Sequence, residues 1–192
     1  MIAIVQEARA GTIGVFRMLS FQKGWQSCFN PSAGGVARSF AGIFLSLPAY
    51  IFTIYAIDFT VAESSQANDP DAGLNTIEAI LTWVRYWLLF PIMAALTSLA
   101  AGLTQRYGAW LVVQNWTVFV MVHIQALLYA LYVAGLADLA ALAQLMSLYI
   151  LLRGLAFWRV AAAALEVRAT YAVALAGIPF LADFGMRALT QS

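Results

Sequence analysis

Two cations in otherwise apolar runs are the residues whose type and placement could do chemistry: Arg85 in "LTWVRYWLLFP" and Arg153 in "YILLRGLAFWR". A guanidinium held at the centre of a bilayer costs roughly 2.5–3.5 kcal/mol even on the lenient insertion scale. Such a residue is therefore either an anchor that reaches the headgroups or part of a site that handles solutes. Trp83, Tyr86 and Trp87 surround Arg85, and Trp and Tyr concentrate at the membrane boundary. About 20 apolar residues counted back from Gly102 start this span near Trp83. Arg85, with Trp83 and Trp87, is thus expected as an interfacial anchor; a start near Asn75 would instead bury it close to the midplane. At the other boundary Trp158 and Arg159 are expected as anchors, leaving Arg153 about six residues, roughly 9 Å, inside. Arg153 is the stronger candidate for pointing into the bundle. Tyr149 and Phe157, one turn to either side, give it an aromatic setting suited to cation–π contact.

The run "WLVVQNWTVFVMVHIQALLYALY" is the most polar of the apolar stretches. On a helix of 3.6 residues per turn Gln114, Met121, Gln125 and Tyr132 fall within about 20° of one another, with His123 on the side opposite Gln114. A seam of this kind could line a solute path, His123 being its titrating group. It could equally hold helices together by hydrogen bonds, and the absence of an obvious partner carboxylate favours that reading. Asp183 and Arg187 have i,i+4 spacing, acid first, the favourable order for a helical ion pair.

Other chemistry is excluded by what the chain lacks. Cys28 is the only cysteine and His123 the only histidine, so no internal disulfide forms and no cysteine cluster or two-histidine metal site can be built. No cofactor is expected. There is no G-x-S-x-G, H-E-x-x-H, Walker loop or Gly-rich dinucleotide turn, and the expectation is that the protein is not an enzyme. Net charge is +1, without the basic blocks a nucleic-acid partner would require.

The elements that must position these residues are membrane helices. Hydrophobic residues make up 63% of the chain and charged residues 10%, with mean hydropathy +0.82, whereas soluble domains are about half apolar and a quarter charged. The fold class expected is all-α: a polytopic transmembrane bundle of about five spans, near 36–57, 83–102, 109–133, 139–158 and 170–188. Residues 1–30 form a separate cytoplasmic-face segment. Its residues Ile2, Val5, Ile13, Phe16 and Leu19 share a loose face, predicting an amphipathic helix lying on the membrane. Pro31 and Gly34–Gly35 end that segment, and Ser32 is placed to cap the next helix. Whether residues 159–168 extend the fourth span or lie on the surface is open. Arg9, Arg17, Lys23, Arg38, Arg106, Arg159 and Arg168 all fall on one side, against Arg187 on the other. The positive-inside rule then places the N-terminus in the cytoplasm and the C-terminus outside, in a bacterial-type inner membrane.

The opening "GGVARSFAGIFLSLPAYIF", behind an amphipathic start and ahead of short-turned spans, resembles the bacterial branch of the Yip1 family. The resemblance implies an α-helical integral membrane protein without catalysis that shapes membranes or serves as a partner-binding scaffold. It transfers no site residue. The function expected is therefore that of an accessory or scaffold protein, acting through helix–helix and membrane-surface contacts, with the bilayer and another membrane protein or a second copy as partners. The alternative is a small transporter or channel using the polar seam. Small residues in "AALTSLAAG" and "VAAAALE" would allow close helix approach in either case.

Overall fold

The computed structural model describes residues 2–63 and 76–190, apart from the side chains of Ile2, Tyr86, Phe180 and 182–190. The chain is all-helical, with no strand among the described residues. Among those residues seven α-helices run in order: α1 (Ile2–Leu19), α2 (Ala33–Ser39), α3 (Gly42–Glu63), α4 (Thr76–Ala100), α5 (Tyr107–Val133), α6 (Leu139–Leu165) and α7 (Ala169–Thr190). Four stretches are long and apolar enough to cross a membrane: Ala33–Glu63, Thr76–Ala100, Thr104–Val133 and Leu139–Leu165. The apolar part of α7, Ala169–Pro179, is shorter. Residues 64–75, between α3 and α4, lie outside the described residues.

Helix α5 is the axis of the bundle, packed by α1, α2, α3, α4 and α6. Every residue from Trp110 to Val118 is buried, so this stretch is enclosed on all sides. Helix α7 closes the structure against α4 and α6. Small residues set the close approaches where the sequence placed them: Ala94, Thr97 and Ser98 on α4, and Ala161 and Ala164 on α6, are all buried. Helix ends are capped locally. Ser32 Oγ accepts from Gly35 N at 3.2 Å, and Asp138 Oδ1 accepts from Ala141 N at 2.7 Å, satisfying donors that a first turn leaves open.

One helix boundary differs from expectation, and a second decides what the sequence left open. Helix α4 starts at Thr76, not near 83, because the apolar pattern continues outward through Ile77 and Ile80 past the aromatic cluster. Helix α6 runs to Leu165, so residues 159–165 extend it. It stops at Glu166, which takes a left-handed conformation (φ 55°). The Arg106 guanidinium holds that residue with a two-pronged bridge of 2.8 and 2.5 Å.

Helix α1 packs on the bundle with the side away from the apolar face expected on the membrane. Val5, Ile13 and Phe16 point outward, while Gly11, Gly14, Val15 and Met18 are buried or half-buried. The i, i+3, i+4, i+7 stripe of small and apolar residues sits on Trp116 and Val120 of α5 and reaches Val160 of α6. Glu7 pairs with Arg38 of α2 at 2.7 Å, and Arg159 Nε donates to Met18 O at 3.3 Å at the other end of the helix. The first segment is thus docked on the bundle. A Cβ on Gly11 would lie 2.5 Å from Trp116 Cγ, whereas one on Gly154 would meet nothing within 4 Å. Gly11→Leu should accordingly lower the thermal unfolding temperature in detergent, by the equivalent of about 1–3 kcal/mol of overpacking. Gly154→Ala should raise it, through helix propensity worth up to about 1 kcal/mol.

Candidate functional site

Most polar side chains inside the bundle are satisfied by their own helix. Thr12, Ser46, Thr53, Thr60, Thr117 and Ser147 each donate to the carbonyl four residues back, the usual solution where water is absent. Asn115 reaches across to α2, its Nδ2 donating to Ser39 Oγ at 2.9 Å. At the far end of α5, Tyr132 donates to Glu63 of α3 at 2.8 Å. These groups hold helices together and leave nothing over for a ligand.

A cavity of about 50 Å³ between α4, α5, α6 and α7 is different. Arg85, Leu89 and Phe90 line it from α4, Trp110, Gln114 and Val118 from α5, Arg153 and Phe157 from α6, and Ala176 and Pro179 from α7. Arg85 is nine residues past Thr76, roughly 14 Å along its helix. Arg153 is twelve residues short of Leu165, roughly 18 Å. Both cations therefore converge near the middle of the apolar helices. A second space, about 10 Å³, adjoins the first through Val118, Arg153 and Phe157, and adds Met121, Gln125 and Tyr149.

The charges are well supported. The Arg153 guanidinium stacks over the Phe157 ring at 5.2 Å, and both arginines engage further groups of the protein. Tyr149 Oη donates to Gln125 Oε1 at 3.3 Å. Four atoms among the described residues stand apart from this pattern: Trp87 Nε1 and Ser98 Oγ elsewhere in the bundle, and two on residues that line the cavity. Trp110 Nε1 and Gln114 Oε1 are buried without a hydrogen-bond partner among the described residues, and each residue is only 1% exposed. A buried group left in that state costs about 1–3 kcal/mol. Both residues line the cavity that Arg85 and Arg153 also line.

The structure separates the other residues singled out in the sequence into those that meet at this site and those that lie elsewhere. Arg153, Gln114, Gln125 and Tyr149 come together along the two adjoining spaces. Arg85, nine residues into α4, joins them. Trp87 is not a boundary anchor either, being 3% exposed within the bundle, while Trp83 stacks on Tyr50 with ring centroids 4.4 Å apart. His123 is outside the site. It is exposed on the outer surface of α5, with Nδ1 2.8 Å from Phe119 O; a carbonyl only accepts, so Nδ1 carries the proton. Trp158 donates to Ala169 O at 2.9 Å across the α6–α7 turn. Arg159 caps α1 and stacks on Phe21 at 4.6 Å. Asp183 and Arg187 have side chains outside the described residues. Trp110 was missed by sequence reasoning. Its one signal was its place a turn before Gln114, which puts the two on one face. Among the described residues no group of three His, Cys, Asp or Glu could hold a metal ion.

No protein-family model matches the chain, and neither does any curated protein or solved structure. The site stands on its geometry. Since Gln114 Oε1 has no partner among the described residues, Gln114→Leu should raise the melting temperature of the purified protein, as replacing an unsatisfied buried polar group does. Asn115→Ala, which removes a made bond one residue further on, should lower it.

Proposed function

We propose that this is a five-span membrane protein, α7 completing the set, that binds a small polar solute within its bundle and passes it across the membrane as a passive carrier. The observation that carries this reading is the mid-depth cavity in which Arg85, Arg153, Gln114 and Trp110 converge. Two guanidiniums in the middle of apolar helices, each engaged by other groups of the protein, stand where a bundle built only for packing would carry leucines. Pro91 on α4 and Pro179 on α7 lie inside two of the helices that wall the cavity, where each removes one backbone donor from the helical ladder. The reading needs no covalent chemistry. In its topology the end that carries Arg106 faces the cytoplasm, in keeping with the one-sided placement of Lys and Arg.

A second reading, the accessory scaffold, is favoured by α1. With its small-residue face docked on α5, α1 turns Val5, Ile13 and Phe16 outward, and we take the bilayer to be what covers them. Arg9 and Arg17, placed on the same helix, suit the headgroups at that level. Such a helix would fix the bundle's depth and present a broad lipid-plane surface to a neighbouring membrane protein.

The two readings separate in reconstituted liposomes loaded with a panel of glycerol, amino acids, carboxylates and inorganic anions. A carrier should release at least one of these about tenfold faster than the Arg85→Gln/Arg153→Gln double variant, with both proteins equally folded by circular dichroism. Equal release across the whole panel would remove the carrier reading. A stoichiometric partner recovered in mild detergent from wild type and lost with Ile13→Ser/Phe16→Ser would then establish the scaffold.

A further inference from the structure

A larger space lies at the Arg106 end of the bundle. It measures about 160 Å³ and is lined by the helical turn Trp25–Cys28 with Phe29 beyond it, the start of α5 and the end of α6. Its walls are mostly apolar: Phe29, Ala109 and Ala163 are half-buried along its sides, and Trp25 is buried behind them. Gln26, Arg106 and Glu166 line it as well and are exposed. The Arg106–Glu166 bridge is complete within the protein, so it brings the space no net charge.

Depth and charge set what can occupy it. Helices α5 and α6 have 27 residues each, about 40 Å, against a hydrocarbon core of about 30 Å. With these helices as spans, their last turns stand in the boundary layers. Ala109 is two residues into α5 and Ala163 two residues before the end of α6, so the space lies where acyl chains meet headgroups. The acids near this end are already used, Glu7 by Arg38 and Glu166 by Arg106. Lys23 and Arg168 are exposed and form no ion pair among the described residues. Lys23 is two residues from Trp25 and Arg168 two from Glu166, both of which line the space, hence within about 7 Å between Cα atoms. Arg17 Nη1 lies 4.0 Å from Cys28 Sγ, beside Phe29 in the chain, and it too has no acid among the described residues.

We infer that this space binds one anionic phospholipid from the membrane leaflet at the Arg106 end. The first carbons of an acyl chain lie along Phe29, Ala109 and Ala163, and Lys23 and Arg168 hold the phosphate, with Arg17 adding to the field. At about 10–15 Å³ for each water-sized group, the space takes roughly ten to sixteen heavy atoms, a length of chain that a lone inorganic anion would not fill. Basic pockets between helices at the cytoplasmic face suit anionic headgroups. An apolar side chain of a protein partner would fill the same walls without calling for cations at headgroup height, so the cations favour the lipid. The inference rests on the helices spanning the bilayer and is independent of the carrier and scaffold readings.

The test is native mass spectrometry and thermal unfolding of the full-length protein in non-ionic detergent. The probes are phosphatidylglycerol, phosphatidylcholine with the same chains, and glycerol 3-phosphate, which has the phosphate without the chains. Wild type should retain one phosphatidylglycerol about tenfold more tightly than phosphatidylcholine, as two cations near a membrane surface support. Its melting temperature should rise as that lipid binds, and glycerol 3-phosphate should have no effect. Lys23→Gln/Arg168→Gln, changed at exposed positions, should melt as wild type without lipid and hold the two lipids within about threefold of each other. Ala109→Leu and Ala163→Leu narrow the space from two helices, and each should weaken phosphatidylglycerol about tenfold. Equal retention of both lipids by wild type, a preference that survives the charge variant, or retention that neither narrowing variant changes overturns the assignment. So does glycerol 3-phosphate binding as tightly as the lipid, which gives the site to a free phosphate compound. Recovery of a protein partner that Ala109→Leu releases, with neither lipid retained, gives the space to that protein and overturns the assignment too.

Discussion

A polar group surrounded by hydrocarbon has no water to turn to, and the arrangement of this bundle is set by where each such group finds its partner. Backbone groups find theirs inside helices. Six hydroxyls, those of Thr12, Ser46, Thr53, Thr60, Thr117 and Ser147, find theirs one turn back on the same helix. The longer side chains must cross between helices, and each crossing fixes a neighbour: Asn115 holds α2 to α5 through Ser39, Tyr132 holds α3 to α5 through Glu63, and Arg159 holds the end of α1 to α6. Helix α5 supplies most of these groups, which is why it sits at the centre and why its neighbours are arranged about it.

The same constraint explains the docking of α1. Its small face, Gly11 and Gly14 with Val15 and Met18, lets the helix approach Trp116 closely enough for dispersion to act without large side chains. Its large apolar residues are left for the outside, where lipid is as good a solvent for them as protein. In water the assignment of faces would be reversed, because large apolar residues would be buried first. In a membrane, packing selects small residues for contact, and the moment that an amphipathic pattern describes need not point at the protein.

Much of the architecture was therefore legible in the sequence, and the parts that were not share a physical cause. Composition and run length identify the apolar helices, and Ser32 marks the start of α2 as expected from capping chemistry. The polar seam through Gln114 and Gln125, and Arg153 with Tyr149 and Phe157 beside it, were readable from helical periodicity on single elements. The boundary of α4 was not. An aromatic cluster at Trp83 and Trp87 reads as a membrane belt in a linear sequence, but the same rings serve as packing, and here Trp87 is enclosed while Trp83 stacks on Tyr50. Misplacing that boundary separated Arg85 from Arg153. His123 failed in the opposite way: a lone imidazole in a polar helix suggested chemistry, yet its side of α5 faces outward. Periodicity relates residues on one helix, while a site made by four helices depends on rotations and offsets that no single run encodes.

The two ends of the bundle and its middle obey opposite rules. Near one end, Arg106 and Glu166 form a two-pronged bridge that holds Glu166 in a backbone conformation rarely adopted by residues other than glycine. At the other, Tyr132 and Glu63 close α5 onto α3. In both places charge and hydrogen bonding are matched within the protein, and the helices are fixed. Between them, Gln114 Oε1 and Trp110 Nε1 are left without partners among the described residues, beside two cations. The Arg106–Glu166 bridge ties the start of α5 to the end of α6, two of the four helices that wall the cavity, while α4 and α7 are held against them by packing.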